Sequence, residues 1–305
     1  MRWAFLFPGQ GSQYVGMGAD LYERSEIARK TYDEAVDVLG WDVREVSFKG
    51  PEEALRATNM TQPAIFVHSV AVWRILEERG IFPEVVAGHS LGEYTALVAA
   101  GCLSFEEGLK LVALRGKLMH EAGERRPGKM AAVIGLADDE VRRLCDEIEG
   151  EVVAANFNAP GQVVISGEVG AVDRVVERAR KHGARRVVLL KVSGAFHSPL
   201  MEDVGEAMKE AIDEVPWSEP RVPVIPNATA KPTRDTVELK RCLVVQLTSP
   251  VRWTETLYSL GEMEVDGALE LGPGHVLQGL VRRTLPGFKV AGVDMWEDVE
   301  RLEEG

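Results

Sequence analysis

Cysteine is nearly absent. Cys102, Cys145 and Cys242 lie far apart in 305 residues and form no C-x-x-C pair. Nothing here suggests a disulfide framework, and a reducing cytosol is the expected setting. Cys102 and Cys242 sit in apolar runs and are expected to pack as small hydrophobes, whereas Cys145 falls among charges on a predicted helix. Long hydrophobic runs are also missing, which excludes a predicted membrane-spanning helix. The first apolar run, residues 3–7, stops at Pro8-Gly9 and is too short for the core of a signal peptide. An excess of basic residues is absent too. The net charge of −13 argues against nucleic acid as the main partner, while leaving room for a local basic patch. No low-complexity tract and no repeat interrupts the chain. What remains is an ordinary globular composition, 45% hydrophobic and 27% charged, with length for one large or two modest domains.

The most informative stretch is Val85-Val86-Ala87-Gly88-His89-Ser90-Leu91-Gly92-Glu93-Tyr94. Its apolar start reads as a buried strand, and the run continuing to Ala100 reads as a buried helix. Between them lies G-x-S-x-G, a strand–turn–helix pattern that exposes a serine oxygen at the end of a strand. Flanking glycines suit so tight a turn because neighbouring Cβ atoms would clash. The helix behind the turn aims free N–H groups and a positive dipole end at developing negative charge. Ser90 is therefore a candidate for covalent catalysis. The competing reading makes it a plain N-cap.

In chain order, residues 3–7 read as a first strand, followed by the glycine-rich loop Pro8-Gly9-Gln10-Gly11-Ser12-Gln13 and Gly16-Met17-Gly18. This loop has neither G-K-S/T nor G-x-G-x-x-G, so a nucleotide site is disfavoured. A loop after the first strand lies at the same sheet edge as Ser90 and could offer a second oxyanion N–H; the alternative is a tight turn before a helix. Residues 20–40 read as helical and amphipathic. Residues 57–64 lead into an apolar helix over 65–78, ended by Gly80. Ser104-Phe105-Glu106-Glu107 is a capping box. On the helix it opens, Arg115 shares a stripe with Leu111 and Leu118. A buried arginine requires an anion, either an internal carboxylate or a bound one, unless it snorkels to solvent.

Residues 121–128 turn polar and carry Gly123, Pro127 and Gly128, which reads as a linker. Beyond it come strand 130–134, helix 138–148, strand 152–155, turn 156–161, strand 163–166, helix 169–182 and strand 187–190. That is βαββαβ, the ferredoxin-like arrangement. The fold class expected is α/β: a large α/β-hydrolase-like subdomain with a mostly parallel sheet, residues 1–126 and 195–305, plus an inserted ferredoxin-like subdomain, residues 127–194. In the returning chain, a helix is expected to about residue 215, an edge strand over 222–227, a helix opening at 249–253, a strand over 268–271, a turn into a helix at 272–277 and a last strand over 289–293.

Ser90 needs a base. His68, His120 and His182 lie in helical patterns, and His89, beside Ser90 in the turn, is expected to point away from it. His197 and His275 both occupy glycine-containing loops after apolar runs. Pattern alone does not choose between them, although the usual order of an α/β-hydrolase triad favours His275.

Several runs are similar to one family in its own order and across almost the whole chain. They are Phe7-Pro8-Gly9-Gln10-Gly11-Ser12-Gln13, Thr61-Gln62-Pro63-Ala64, Gly88-His89-Ser90-Leu91-Gly92-Glu93, Arg115, Asn158-Ala159-Pro160-Gly161-Gln162, Gly194-Ala195-Phe196-His197-Ser198-Pro199, Gln246-Leu247 with Ser249-Pro250-Val251, and Gly272-Pro273-Gly274. The sequence resembles the malonyl-CoA:acyl carrier protein transacylases of bacterial fatty-acid synthesis. The resemblance implies Ser90 as nucleophile and His197 as general base, oriented by the backbone carbonyl of Gln246. It implies an oxyanion hole from the N–H groups of Gln10 and Leu91, Arg115 as receptor for the malonyl carboxylate, and a structural role for His275. Phe196 before His197 is typical of members that take malonyl rather than methylmalonyl groups. No metal and no redox cofactor is expected; the substrates would be malonyl-CoA and an acidic acyl carrier protein bearing phosphopantetheine. A cytoplasmic monomer, with no membrane or nucleic-acid partner, completes the expectation. Lys181, Arg185, Arg186, Lys191, Arg282 and Arg283 are candidates for carrier docking, or simple solvated charge. The competing activity is a serine thioesterase or esterase using Ser90 and His275.

Overall fold

The computed structural model describes residues 1–192 and 194–303. Among the described residues nine strands form two sheets. The first holds β1 (Trp3–Phe7), β2 (Pro83–Gly88), β7 (Val224–Ile225), β8 (Gly267–Leu271) and β9 (Val290–Val293), all parallel, in the order β7-β2-β1-β8-β9. The second holds β3 (Gly128–Ile134), β4 (Val152–Ala159), β5 (Gln162–Glu168) and β6 (Arg186–Leu189), antiparallel, in the order β4-β5-β3-β6. With helices Asp138–Asp146 and Val169–Lys181, this second unit has the ferredoxin-like connectivity the strand and helix pattern predicts.

Alternation in β1 shows why the parallel sheet is covered on both faces. Phe5 and Phe7 enter the core built around helices Thr58–Glu78 and Phe105–Arg125, while Ala4 and Leu6 face Trp253, Leu257, Leu277 and Val281. The small sheet is two-faced as well. Val133, Phe157 and Ile165 pack under its own two helices, whereas Met130, Ala132, Ala155 and Val164 join the large core. Backbone bonds stitch the units together: Val251 N–H donates to Ala155 O at 2.8 Å, and Phe157 N–H to Val251 O at 2.9 Å.

The structure corrects several local expectations. The polar stretch 121–128 is not a linker. Helix Phe105–Arg125 runs through it, and only Arg126 and Pro127 separate that helix from β3. Ala122 and Gly123 are buried on the helix, so polarity there marks its solvent side rather than a break. Residues 156–159 are strand, not turn; β4 reaches Ala159 with register shifts between Ala154 and Asn156 and between Phe157 and Ala159. Bulges tolerate asparagine while re-aiming side chains. The apolar helix begins at Thr58, with Pro63 inside it. The proline forfeits one backbone bond near the helix start, and sixteen buried residues of that helix outweigh the loss. The helical stretch over 20–40 is two helices, Ala19–Arg24 and Glu26–Leu39, divided at Ser25, whose hydroxyl caps the second. The closing helix Trp296–Glu303 lies outside the expected elements. All three cysteines, Cys145 included, are free and buried. No described helix is long and apolar enough to cross a membrane.

Candidate active site

The loops leaving β7, β2, β1 and β8 emerge at the carboxyl edge of the parallel sheet. From β1 the chain goes first to one side, β2, and later to the other, β8. That reversal opens the crevice where sheets of this kind hold ligands.

Ser90 stands between β2 and helix Gly92–Ala99 with φ 51°, the left-handed region that a residue with a Cβ rarely adopts. Close packing enforces it. A Cβ on Gly88 would lie 1.9 Å from the carbonyl atoms of Gly92, and one on Gly92 would lie 2.0 Å from Phe7 O. Asn227, just beyond β7, ties down both sides of the turn. Its Oδ1 accepts from Ser90 N–H at 2.7 Å, and its Nδ2 donates to Gly88 O at 2.6 Å.

His197 also has positive φ, 56°. Its Nδ1 lies 2.9 Å from the backbone carbonyl of Gln246, which can only accept, so the ring carries its proton there. Nε2 is left to accept from the Ser90 hydroxyl at 2.7 Å. Burial, and then the Arg115 cation, push the imidazole down to about 3, so it is neutral in neutral solution. His275 is engaged elsewhere, its Nδ1 accepting from Gln278 Nε2 at 3.1 Å.

Arg115 is 1% exposed. Its guanidinium donates to Gln62 Oε1 at 2.7 Å, to Ser90 Oγ at 3.0 Å and to Gln246 Oε1 at 3.1 Å, and it lies 5.6 Å from the Tyr94 ring centre. Among the described residues no carboxylate bonds to it, and its Nε has no hydrogen-bond partner. A buried cation satisfied only by neutral oxygens is built to receive an anion. The Gln10 and Leu91 amides donate to no backbone carbonyl among the described residues; Gln10 lines the cleft with Ser90, and Leu91 follows Ser90 in the turn, at the N-cap of helix Gly92–Ala99. Phe196 is buried and lines the same cleft, whose opposite wall comes from the small sheet through Met130, Asn158 and Val164. Asn158 Oδ1 lies 2.8 Å from His89 Nε2, so that nitrogen is engaged by a group other than Ser90.

The structure thus brings Ser90, His197, Arg115, Gln10 and Phe196 into one cleft, with Gln246 bonded behind His197 and Arg115 and Leu91 next to Ser90 in the turn, and leaves His275 without a bond to Ser90. Sequence reasoning assigns nothing to Gln62, Glu93 or Asn227. Gln62 and Glu93 sit within the matched runs, and Glu93 is an acid on an otherwise uncharged helix, which is a usable signal. Asn227 gives none, because its role depends on β7 lying beside β2.

The acyl transferase domain family matches residues 4–298. The malonyl CoA-acyl carrier protein transacylase of Bacillus subtilis is 42% identical over 300 residues, 97% of this chain and 95% of that protein. The protein of the same name from Haemophilus influenzae is 42% identical over 99% of this chain and 98% of its own. Among solved structures, an acyl carrier protein S-malonyltransferase from Vibrio cholerae superimposes with TM-score 0.95 at 41% identity, covering 99% of this chain and 100% of that one. A malonyl-transacylase in complex with its type II PKS acyl-carrier protein gives TM-score 0.96 at 41% identity, with both chains covered completely. By sequence and by fold, over nearly its whole length, the chain belongs to the acyl transferase domain family, among the malonyl CoA-acyl carrier protein transacylases.

Proposed function

We propose that the protein carries a malonyl group from malonyl-CoA to the pantetheine thiol of an acyl carrier protein through an ester on Ser90. One observation carries the reading: the Ser90 hydroxyl is bonded at once to a neutral imidazole and to a buried guanidinium that lacks a carboxylate. A general-purpose hydrolase needs the first and has no use for the second.

In the first half-reaction Ser90 Oγ attacks the thioester carbonyl while His197 Nε2 takes its proton. The carbonyl oxygen becomes an oxyanion and is met by the N–H groups of Gln10 and Leu91, the latter at the start of helix Gly92–Ala99. The C–S bond breaks, and the imidazolium returns its proton to the departing CoA sulfur. In the second half-reaction His197 takes the proton of the carrier's pantetheine thiol, the thiolate attacks the ester carbonyl, and Ser90 leaves with the proton restored. Throughout, Arg115 holds the malonyl carboxylate and Phe196 shapes the acyl end of the cleft. Exchange between a thioester and an ester changes no oxidation state, so the chemistry calls for neither metal nor redox cofactor. In this reading residues 127–194 form the small subdomain, residues 1–126 and 195–305 the large one, and the enzyme acts as a cytoplasmic monomer.

The test is intact-mass analysis after mixing with malonyl-CoA, with Ser90→Ala as control and holo carrier protein added afterwards. A malonyl adduct is expected on the unaltered protein, absent from the variant, and passed to the carrier thiol. Release as free malonate alone would indicate a hydrolase; no adduct would reject covalent acyl transfer.

A further inference from the structure

We propose that Glu93 is a positioning residue of this reaction: its carboxylate, acting through the side chain of Gln246, sets the carbonyl that orients His197 and the amide oxygen that faces Arg115. The proposal rests on the malonyl-transfer reading above.

Gln246 is the junction of the site and is 1% exposed. Its backbone oxygen accepts from His197, its Oε1 accepts from Arg115, and its Nε2 donates twice, to Ser90 O and to Glu93 Oε2, both at 2.9 Å. An amide can be turned end over end at little cost in shape, so its neighbours must choose the orientation. Here an acceptor-only carboxylate on one side and a donor-only guanidinium on the other choose it together. The same Glu93 oxygen accepts from the backbone N–H of Asn227 at 2.9 Å, and Asn227 clamps the Ser90 turn. One buried carboxylate oxygen, 1% exposed as a residue, therefore braces the supports of both the nucleophile and its base without touching either.

The carboxylate is also the counter-charge Arg115 lacks at first hand. The two ions interact across Gln246 rather than as a direct pair, which leaves the guanidinium open to substrate. The groups that face Glu93 are Arg115 from helix Phe105–Arg125, Tyr94 from its own helix and Cys242 from helix Thr236–Val245, with His197 one residue away across Gln246. Burial pushes Glu93 up to about 7, against the pull of Asn227, Gln246 and Arg115. With the site empty His197 is held at about 3, well below Glu93, and removing the Glu93 charge tells the two groups apart as the source of an acidic limb.

The experiment is the single-turnover rate constant for malonyl-ester formation on Ser90 at saturating malonyl-CoA, read by intact mass from pH 5.5 to 8.5, for the wild type and Glu93→Gln. A rate constant, unlike an amplitude, is independent of how much of the sample is folded. The glutamine oxygen can still accept both N–H groups, so the variant removes charge and spares shape. The wild-type rate should fall below about pH 7 with a one-proton slope. Glu93→Gln should be flat over the range and about tenfold slower than wild type at pH 8, the difference between a charge-assisted and a neutral acceptor. A Glu93→Gln profile that keeps the acidic limb would assign the limb to another group and overturn the proposal; so would a variant as fast as wild type at every pH. Absence of any ester on the wild type would instead reject malonyl transfer itself.

Discussion

At Ser90 the guanidinium of Arg115 does two things that pull against each other. It donates to the nucleophile's oxygen, and its charge is one of the causes that hold His197 low. In the proposed reading a malonyl carboxylate on Arg115 would offset that charge, while burial, the larger cause, would stay; an acetyl group would leave the cation bare. Arg115→Ala should lower kcat/KM for malonyl-CoA by at least about thirtyfold, the low end of the roughly 2–5 kcal/mol lost when one partner of a buried ion pair is removed. The same variant should keep or raise its acetyl-CoA activity, because it loses no carboxylate contact to that group and one of the causes that hold His197 low is removed. Steady-state comparison of the two thioesters decides it, and an unchanged preference would mean Arg115 does not read the carboxylate.

At the level of elements, the elbow works because two glycines let a strand, a turn and a helix approach to backbone contact. Gly88→Ala drives a methyl into the carbonyl of Gly92, where no side chain can rotate away. It should cost about 3 kcal/mol or more and abolish ester formation. Gly279, inside helix Val276–Thr284, has an ordinary φ, and beyond its own helix no atom lies within 4 Å of where a methyl would stand. Gly279→Ala should leave activity intact and raise stability by up to about 1 kcal/mol through helix propensity. Thermal melts of the pair therefore test whether the elbow glycine is a packing requirement or a conformational convenience. The elbow is readable in sequence because its constraint is local. The true start of helix Thr58–Glu78 is not, since Pro63 is a local stop signal that only tertiary burial overrides. The same holds for β4, whose asparagines resemble a turn until β5 and Val251 pair with it.

For the whole molecule, a net charge of −13 means that a carrier as acidic as the resemblance implies would approach against the average field. Of the basic candidates, Lys181 is paired with Glu177, Arg282 bonds Gln278, and Arg283 is folded over the Pro160-Gly161 turn. Arg185, Arg186 and Lys191 make no ion pair among the described residues, and Lys191 is exposed in a surface hollow shared with Gln10 at the mouth of the cleft. If these three steer the carrier, its apparent KM should rise several-fold between about 50 and 300 mM salt, while transfer to free pantetheine, an uncharged acceptor, stays nearly level. Equal salt responses for the two acceptors would remove electrostatic docking.

Fold class, the βαββαβ pattern and the tight turn at Ser90 are all legible in the linear chain. Each is written in short-range periodicity or in glycines flanking one residue, and the family resemblance extends this to a base and an anion receptor. Which histidine reaches Ser90 is a matter of packing. His197 and His275 occupy similar loops, and what separates them is a carbonyl of Gln246 brought in from 49 residues away. Glu93, Gln246 and Asn227 likewise become one hydrogen-bonded unit only when β7 lies beside β2 and helix Thr236–Val245 delivers Gln246 to the elbow. Hydrogen bonds between groups remote in the chain leave no periodic mark along it, so their partners are fixed by packing alone.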